Sequence, residues 1–217
     1  MRRMLFKARF LGLVFPVLLA AAWPAAAIAA SAPGLGSASN FAVLSAAPGG
    51  GGAVTCTNGT ITGDVGSSGP AASVVQTSCA ITGSIIAPVS AQVVADFNTA
   101  YAAGLGTCGT TLGSTLPAAT TNLASGTYCT PAALTVTGQT LNLTGSGPWN
   151  FEIGTGGTGA LTGTNFTVLT SNPCNVFWWV AQAATMTDST FAGTILAGAA
   201  ITLTRGTFHG NALAGAG

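Results

Sequence analysis

Ala160-Leu161-Thr162-Gly163-Thr164-Asn165-Phe166, Thr185-Met186-Thr187-Asp188-Ser189-Thr190-Phe191 and Thr202-Leu203-Thr204-Arg205-Gly206-Thr207-Phe208 are three lines of one pattern between Ala160 and Ala214. In each line an apolar residue stands between small flanks, mostly Thr. Three places after the second flank comes Asn or Thr, and then Phe. A fainter copy lies upstream at Thr135-Val136-Thr137-Gly138-Gln139-Thr140-Leu141. The central residues Val136, Leu161, Met186 and Leu203 are spaced by 25, 25 and 17 residues. Phe191, Gly193 and Ala197 recur in phase as Phe208, Gly210 and Ala214. Repeats of this length with strand-type alternation predict coils of a right-handed β-solenoid, each adding a rung to a common core.

Successive strand side chains point to opposite faces. With Val136, Leu161, Met186 and Leu203 inward, the pairs Thr135/Thr137, Ala160/Thr162, Thr185/Thr187 and Thr202/Thr204 point outward. A Thr-x-Thr strand sets its two hydroxyls roughly 6.6 Å apart, and neighbouring rungs lie about 4.8 Å apart. The expected result is a flat, uncharged lattice of hydroxyl and methyl groups. Thr is stiff at its first side-chain torsion, so the lattice is preformed. Thr140, Asn165, Thr190 and Thr207 are placed at its margin.

Met1 to about Ala30 reads as a secretory signal. Arg2, Arg3, Lys7 and Arg9 form a basic start, Phe10 to Ala22 an apolar centre, and Ala27-Ile28-Ala29 a small-residue cleavage site. Its removal takes the formal charge from +1 to −3 and leaves Arg205 as the remaining Lys or Arg. A chain so poor in charge does not bind nucleic acid by neutralising phosphates, nor an anionic membrane through a basic patch. The remainder, 31–217, is enough for a single domain with a good core. A monomer, secreted or held in the periplasm or at the cell surface, is expected. Five cysteines, an odd number, fit export. The local pairings Cys56–Cys79 and Cys108–Cys129 are the expectation, but five cysteines allow fifteen ways to make two bridges, and Cys174 stands as a bridging alternative. One histidine and no Cys-x-x-Cys do not build a usual zinc site, and no cofactor is expected.

Ile61-Thr62-Gly63-Asp64-Val65 and Ile81-Thr82-Gly83-Ser84-Ile85 match at a distance of 20 residues and read as two early coils. A helix is predicted over about 90–104, capped by Ser90 and stopped by Gly104, with Val94, Phe97 and Tyr101 on one stripe. Gly106 to Gly126 reads as a loop. Asn175-Val176-Phe177-Trp178-Trp179-Val180 is apolar on both faces, as in a strand covered on both sides. One wall is therefore expected to carry the helix outside strands near Phe41, Val176, Phe191 and Phe208. The Thr-x-Thr wall is a different one, open to solvent.

From Leu35 to Ala214 the chain resembles the secreted microbial ice-binding (antifreeze) proteins. The carriers are Leu35-Gly36-Ser37-Ala38-Ser39-Asn40-Phe41-Ala42-Val43-Leu44, Thr62-Gly63-Asp64-Val65-Gly66, Ala95-Asp96-Phe97-Asn98-Thr99-Ala100-Tyr101, Gly126-Thr127-Tyr128, Asn175-Val176-Phe177-Trp178 and Phe191-Ala192-Gly193-Thr194-Ile195-Leu196-Ala197. The resemblance implies a discontinuous β-solenoid of triangular coils with one long helix along one wall, and ice and its ordered water as the partner. Two features depart from the family: Trp179 stands where a polar residue is usual, and a closing strand after Leu213-Ala214 is expected to be absent.

Other classes fit the residues less well. Solenoid enzymes that cut polysaccharides gather carboxylates in a groove. Here Asp64, Asp96, Glu152 and Asp188 fall in different motifs: Asp64 reads as a turn residue, Asp96 as a solvated helix residue, and Arg205 and His209 as turn and wall residues. No enzyme is expected. The alternative is an adhesin or matrix solenoid that contacts carbohydrate or a cell surface, with Trp149, Trp178 and Trp179 available to stack on sugars. Asn58, Asn142 and Asn165 begin glycosylation sequons, relevant in a host that glycosylates.

Overall fold

A computed structural model describes residues 31–216 of the chain. The expected secretory signal lies outside the described residues. From the N-terminus, β1 (Phe41–Ser45), β2 (Val54–Ile61), β3 (Asp64–Ser67), β4 (Val74–Ile81) and β5 (Ile85–Ile86) precede the helix α1 (Ala91–Ala103). After it come β6 (Thr110–Thr111), β7 (Thr120–Thr130), β8 (Leu134–Thr137), β9 (Thr140–Ile153), β10 (Leu161–Thr164) and β11 (Thr167–Leu169). The chain continues with β12 (Val176–Val180), β13 (Ala184–Ala192), β14 (Thr194–Ala197), β15 (Ile201–His209) and β16 (Ala212–Ala214). The ladders among them are parallel, the mark of a chain that rises one rung per turn. The described residues form a β-solenoid with a single α-helix.

Each coil runs along three walls. The first is ordered β5-β3-β1-β16-β14-β12-β9. The C-terminal strand β16 is thus inserted between β14 and the N-terminal β1, with Leu213 opposite both Leu196 and Leu44. This insertion is the discontinuity of the fold. The second wall is made by β8, β10 and the first halves of β13 and β15. The third is made by β11 and the second halves of β13 and β15, with the start of β9 and β7. A left-handed residue marks the corner between the second and third walls in successive coils: Asn165, Asp188 and Arg205 have φ of 50°, 51° and 55°.

Aromatic rings fill the interior. Phe151 stacks on Trp178 at 4.0 Å, Trp178 meets Phe191 at 4.8 Å, and Tyr128 and Phe208 extend the column at each end. Such pairs add about 0.5–1.5 kcal/mol each beyond the area they bury. The Trp178 indole donates to the Ala192 carbonyl at 3.1 Å, so its polar atom is not stranded in the core.

The helix forms where the sequence predicts it. The Ser90 hydroxyl accepts from the Val93 amide at the N-cap, and Gly104 closes the helix with φ 65°. Its buried stripe is Val93, Phe97 and Ala100, with Val94 and Tyr101 at the edges, a small rotation from the predicted one. It lies on the first wall, over an apolar outward row of Trp179, Leu196, Leu213 and Leu44, which are register partners in that order. Trp179 heads the row: its indole donates to the Tyr101 carbonyl at 2.8 Å and its ring stacks on Tyr101 at 5.2 Å. An aromatic residue at this place joins helix to wall. The wall expected around Phe191 and Phe208 is corrected. Both rings end the third wall and point inward, and the strands that carry the helix, β14 and β16, begin three or four residues later.

Two further expectations meet the structure differently. The early coils pair as read, with Ile61 opposite Ile81 and Val65 opposite Ile85. The predicted loop over 106–126 instead contains β6 and the start of β7, where Thr120 to Ala124 pair with Thr140 to Thr144. That strand carries few apolar residues, so its alternation is faint in the sequence. Both local disulfides form: Cys56–Cys79 ties β2 to β4 and Cys108–Cys129 ties the segment after α1 to β7, while Cys174 is unpaired and exposed.

Candidate functional site

The second wall carries the predicted threonines in two columns. Thr135, Thr162, Thr185 and Thr202 are register partners across four rungs, and so are Thr137, Thr164, Thr187 and Thr204. The eight hydroxyls lie on a grid of roughly 6.6 Å along the strands and about 4.8 Å between them. Residues of the two inner rungs are half-exposed, because their neighbours on both sides cover the side-chain flanks; those of the outer rungs are exposed. Beneath them the inward rows are Leu134, Leu161, Ala184 and Ile201, then Val136, Gly163, Met186 and Leu203.

One rung of the sequence alignment shifts by two residues. Leu161 pairs with Leu134 and Ala184, and Gly163 takes the place next to Met186. Ala160 is therefore not a lattice residue, and Thr164 is. The reason is volume: a Cβ on Gly163 would stand 2.6 Å from the Met186 sulfur, so the long Met side chain occupies the space that Gly163 leaves. The overlooked signal is the frame apolar-Thr-x-Thr, which recurs as Leu134-Thr-Val-Thr137, Leu161-Thr-Gly-Thr164, Ala184-Thr-Met-Thr187 and Ile201-Thr-Leu-Thr204.

The margin is also rearranged. Thr140, Thr190 and Thr207 form a column on the third wall, but its partner in the remaining coil is Thr167, and Thr120 extends it. Asn165 stands instead at the corner, in phase with Asp188 and Arg205. There Arg205 forks onto Asp188 with N–O distances of 2.5 and 2.7 Å. The hydrogen bonds from Arg205 hold the Asp188 carboxyl below its ordinary range, and the guanidinium is raised in turn. The charges nearest the lattice thus neutralise one another at its rim, and the threonine columns themselves carry none.

The other candidates are dispersed. Asp64, expected as a turn residue, instead opens β3, and its carboxylate accepts from the Ser84 amide of the next coil at 2.7 Å. Asp96 is not simply solvated: one carboxyl oxygen accepts from the Ser37 amide and hydroxyl at 2.7 and 2.6 Å, which lowers its pKa and ties the N-terminal 3-10 turn to α1. Glu152 accepts from the Leu105 amide at 2.6 Å. His209 is exposed opposite Ala192. Trp149 and Trp178 are fully buried and Trp179 lies under the helix, so none presents a ring face to a sugar. No helix among the described residues is long and apolar enough to cross a membrane.

Coils, flanking helix and an open threonine wall define a class of solenoid, and the sequence comparison agrees: the chain belongs to the ice-binding-like family, matched over residues 48–217. Solved structures with the same fold include an ice-binding protein from an Antarctic biological consortium, at 28% identity and a TM-score of 0.71 over 87% of each chain. The ice-binding protein of the Antarctic ascomycete Antarctomyces psychrotrophicus is 28% identical with a TM-score of 0.67, over 86% of this chain and 93% of that one. A third, from an Antarctic Flavobacteriaceae bacterium, is 28% identical with a TM-score of 0.68, over 86% of this chain and 45% of the other. Among curated proteins, none matches.

Proposed function

We propose that this is a secreted, monomeric ice-binding protein that adsorbs to ice through the wall of Thr135, Thr137, Thr162, Thr164, Thr185, Thr187, Thr202 and Thr204, with the third-wall threonines at its margin, and so inhibits ice growth and recrystallisation. The observation that carries the reading is the double threonine column in register over four rungs. Ice offers no net charge to pair with, only a periodic array of water. A flat, stiff grid of hydroxyls and methyls holds water in a repeating pattern that merges with such a lattice. A charged or mobile face holds its water otherwise. Ice growing between adsorbed molecules curves, which lowers its local freezing point.

Thr187→Tyr tests this. Thr187 is flanked by Thr164 and Thr204, so a ring there stands on the middle of the grid and holds ice away. Thermal hysteresis and recrystallisation inhibition should fall sharply, with stability changed by about 0.5 kcal/mol. Gln92→Lys, on the exposed side of α1, should alter neither activity. Full activity in folded Thr187→Tyr moves the site to another wall. An unmodified protein with no affinity for ice replaces the reading with the adhesin or matrix alternative.

A further inference from the structure

Where the C-terminal end of α1 meets the outer face of β9 there is a pocket of about 250 Å³, lined among others by Tyr101, Ala102, Ala103, Glu152, Thr155 and Trp179. Glu152 is half-buried and stands at the end of the helix: a Cβ on Gly104 would lie 3.2 Å from its Oε1. That oxygen accepts from the Leu105 amide at 2.6 Å. The second oxygen, Oε2, receives no N–H or O–H among the described residues. It lies 3.9 Å from the Cys129 sulfur, which belongs to a disulfide and has no proton to give.

The donors around this oxygen are spent elsewhere. The Trp179 indole and the Gly104 amide both donate to the Tyr101 carbonyl, at 2.8 and 3.2 Å. The Thr155 hydroxyl donates to the Thr130 carbonyl at 3.4 Å. Among the described residues, nothing donates to the carbonyls of Ala102 and Ala103, which end the helix and carry the negative pole of its dipole. The chain supplies no cation here either. Arg205 is the single Lys or Arg among the described residues, and it is bound to Asp188 at the rim of the threonine wall. Asp96 is answered by Ser37 and Gln92. Glu152 is thus a carboxylate with one open oxygen, in a pocket of acceptors and aromatic rings.

We infer that this pocket binds a small organic ammonium ion, drawn by Glu152 Oε2 and the last carbonyls of α1 and seated against the rings of Trp179 and Tyr101. The rings decide between an organic cation and a metal ion. Calcium takes six to eight oxygen ligands. One carboxylate with a few carbonyls does not supply them, and a ring face offers no lone pair. An alkylated ammonium needs no such shell, and a Trp face is the best aromatic partner for it. The site is preformed. Leu105 is clamped by its amide on Glu152 and by its carbonyl, which accepts from the Asn150 side chain at 2.9 Å. Tyr101 and Trp179 hold each other by stacking at 5.2 Å.

The test titrates tetramethylammonium chloride into the secreted protein at constant ionic strength, balanced with sodium chloride, while NMR follows the Trp179 indole and Leu105 amide protons. Saturable one-to-one binding is expected, with both signals moving together. tert-Butanol, a neutral molecule of the same shape, should bind at least about fivefold more weakly, because it lacks the charge that Glu152 attracts. Glu152→Gln keeps an oxygen for the Leu105 amide and should weaken tetramethylammonium by about fivefold or more. Asp188→Asn removes a carboxylate at the distant rim and should leave the affinity unchanged. The inference is overturned by a titration that does not saturate, by equal affinity for tert-butanol, or by a folded Glu152→Gln that binds as well as the unmodified protein. Calcium moving the same signals at lower concentration than tetramethylammonium also overturns it, in favour of a metal site. Ice is absent from this experiment, so its failure leaves the ice reading standing.

Discussion

The wall under α1 and the threonine wall are cut from the same coils, yet their outward rows have opposite chemistry. Trp179, Leu196, Leu213 and Leu44 stand in register beneath the helix. Thr135, Thr162, Thr185 and Thr202 stand in register on the other wall. A parallel sheet with an apolar outer row needs a cover, and α1 supplies Val93 and Phe97 to it. A row of threonines needs none, because a hydroxyl left exposed to solvent pays no burial cost. The inward rows are alike on both walls, so the coil is one scaffold and the outward residue alone decides whether a wall is buried or left as a surface.

The comparison is broken most strongly by uncovering the helix wall. Phe97 is 1% exposed, and Phe97→Ala should cost about 3–5 kcal/mol in denaturant unfolding. Ice activity per folded molecule should be retained, because the cover touches a different wall. Next comes the interior of the threonine wall. Gly163→Ala places a methyl against the Met186 sulfur and should cost about 1–3 kcal/mol. A double-mutant cycle with Met186→Ala should return a favourable coupling.

Smaller stability effects sharpen the boundary of the surface. Thr164→Tyr should change stability by about 0.5 kcal/mol and remove most thermal hysteresis. Thr190→Tyr, around the corner on the third wall, should reduce hysteresis less. Equal losses would join the two walls into one site. The smallest effect belongs to the rim. The Asp188 pKa is depressed by Arg205, so the pair's stabilisation is present above the unfolded-state value of about 3.9 and is lost as pH falls through the lower folded value. The thermal midpoint should therefore dip below about pH 4, and Asp188→Asn should lack that increment of the dip. The pair is exposed, so the difference is small.

Much of this was legible in the residues. Thr-x-Thr at three rungs, the early match at a distance of 20 residues, Ser90 and Gly104 around the helix, and both local cysteine pairs are local signals that the structure reproduces. The losses have physical causes. Leu161 reads as the equivalent of Met186, because nothing in its own segment shows that Met186 of the next coil fills the space beside Gly163. Thr120 to Ala124 reads as a loop because pairing with β9, not its own apolar content, makes it a strand. Trp179 looks out of place until Tyr101 is seen above it.

What the sequence determined by itself is the alternation: which residues of each strand share a face, and hence that one face is threonine and another apolar. That follows from the two-residue period of a strand, which needs no knowledge of neighbours. Only the tertiary structure decided the register between coils, the choice of Thr164 over Ala160, and the insertion of β16 between β14 and β1. Register is chosen by how side chains of different coils share one interior volume, and that volume belongs to no single segment of the chain.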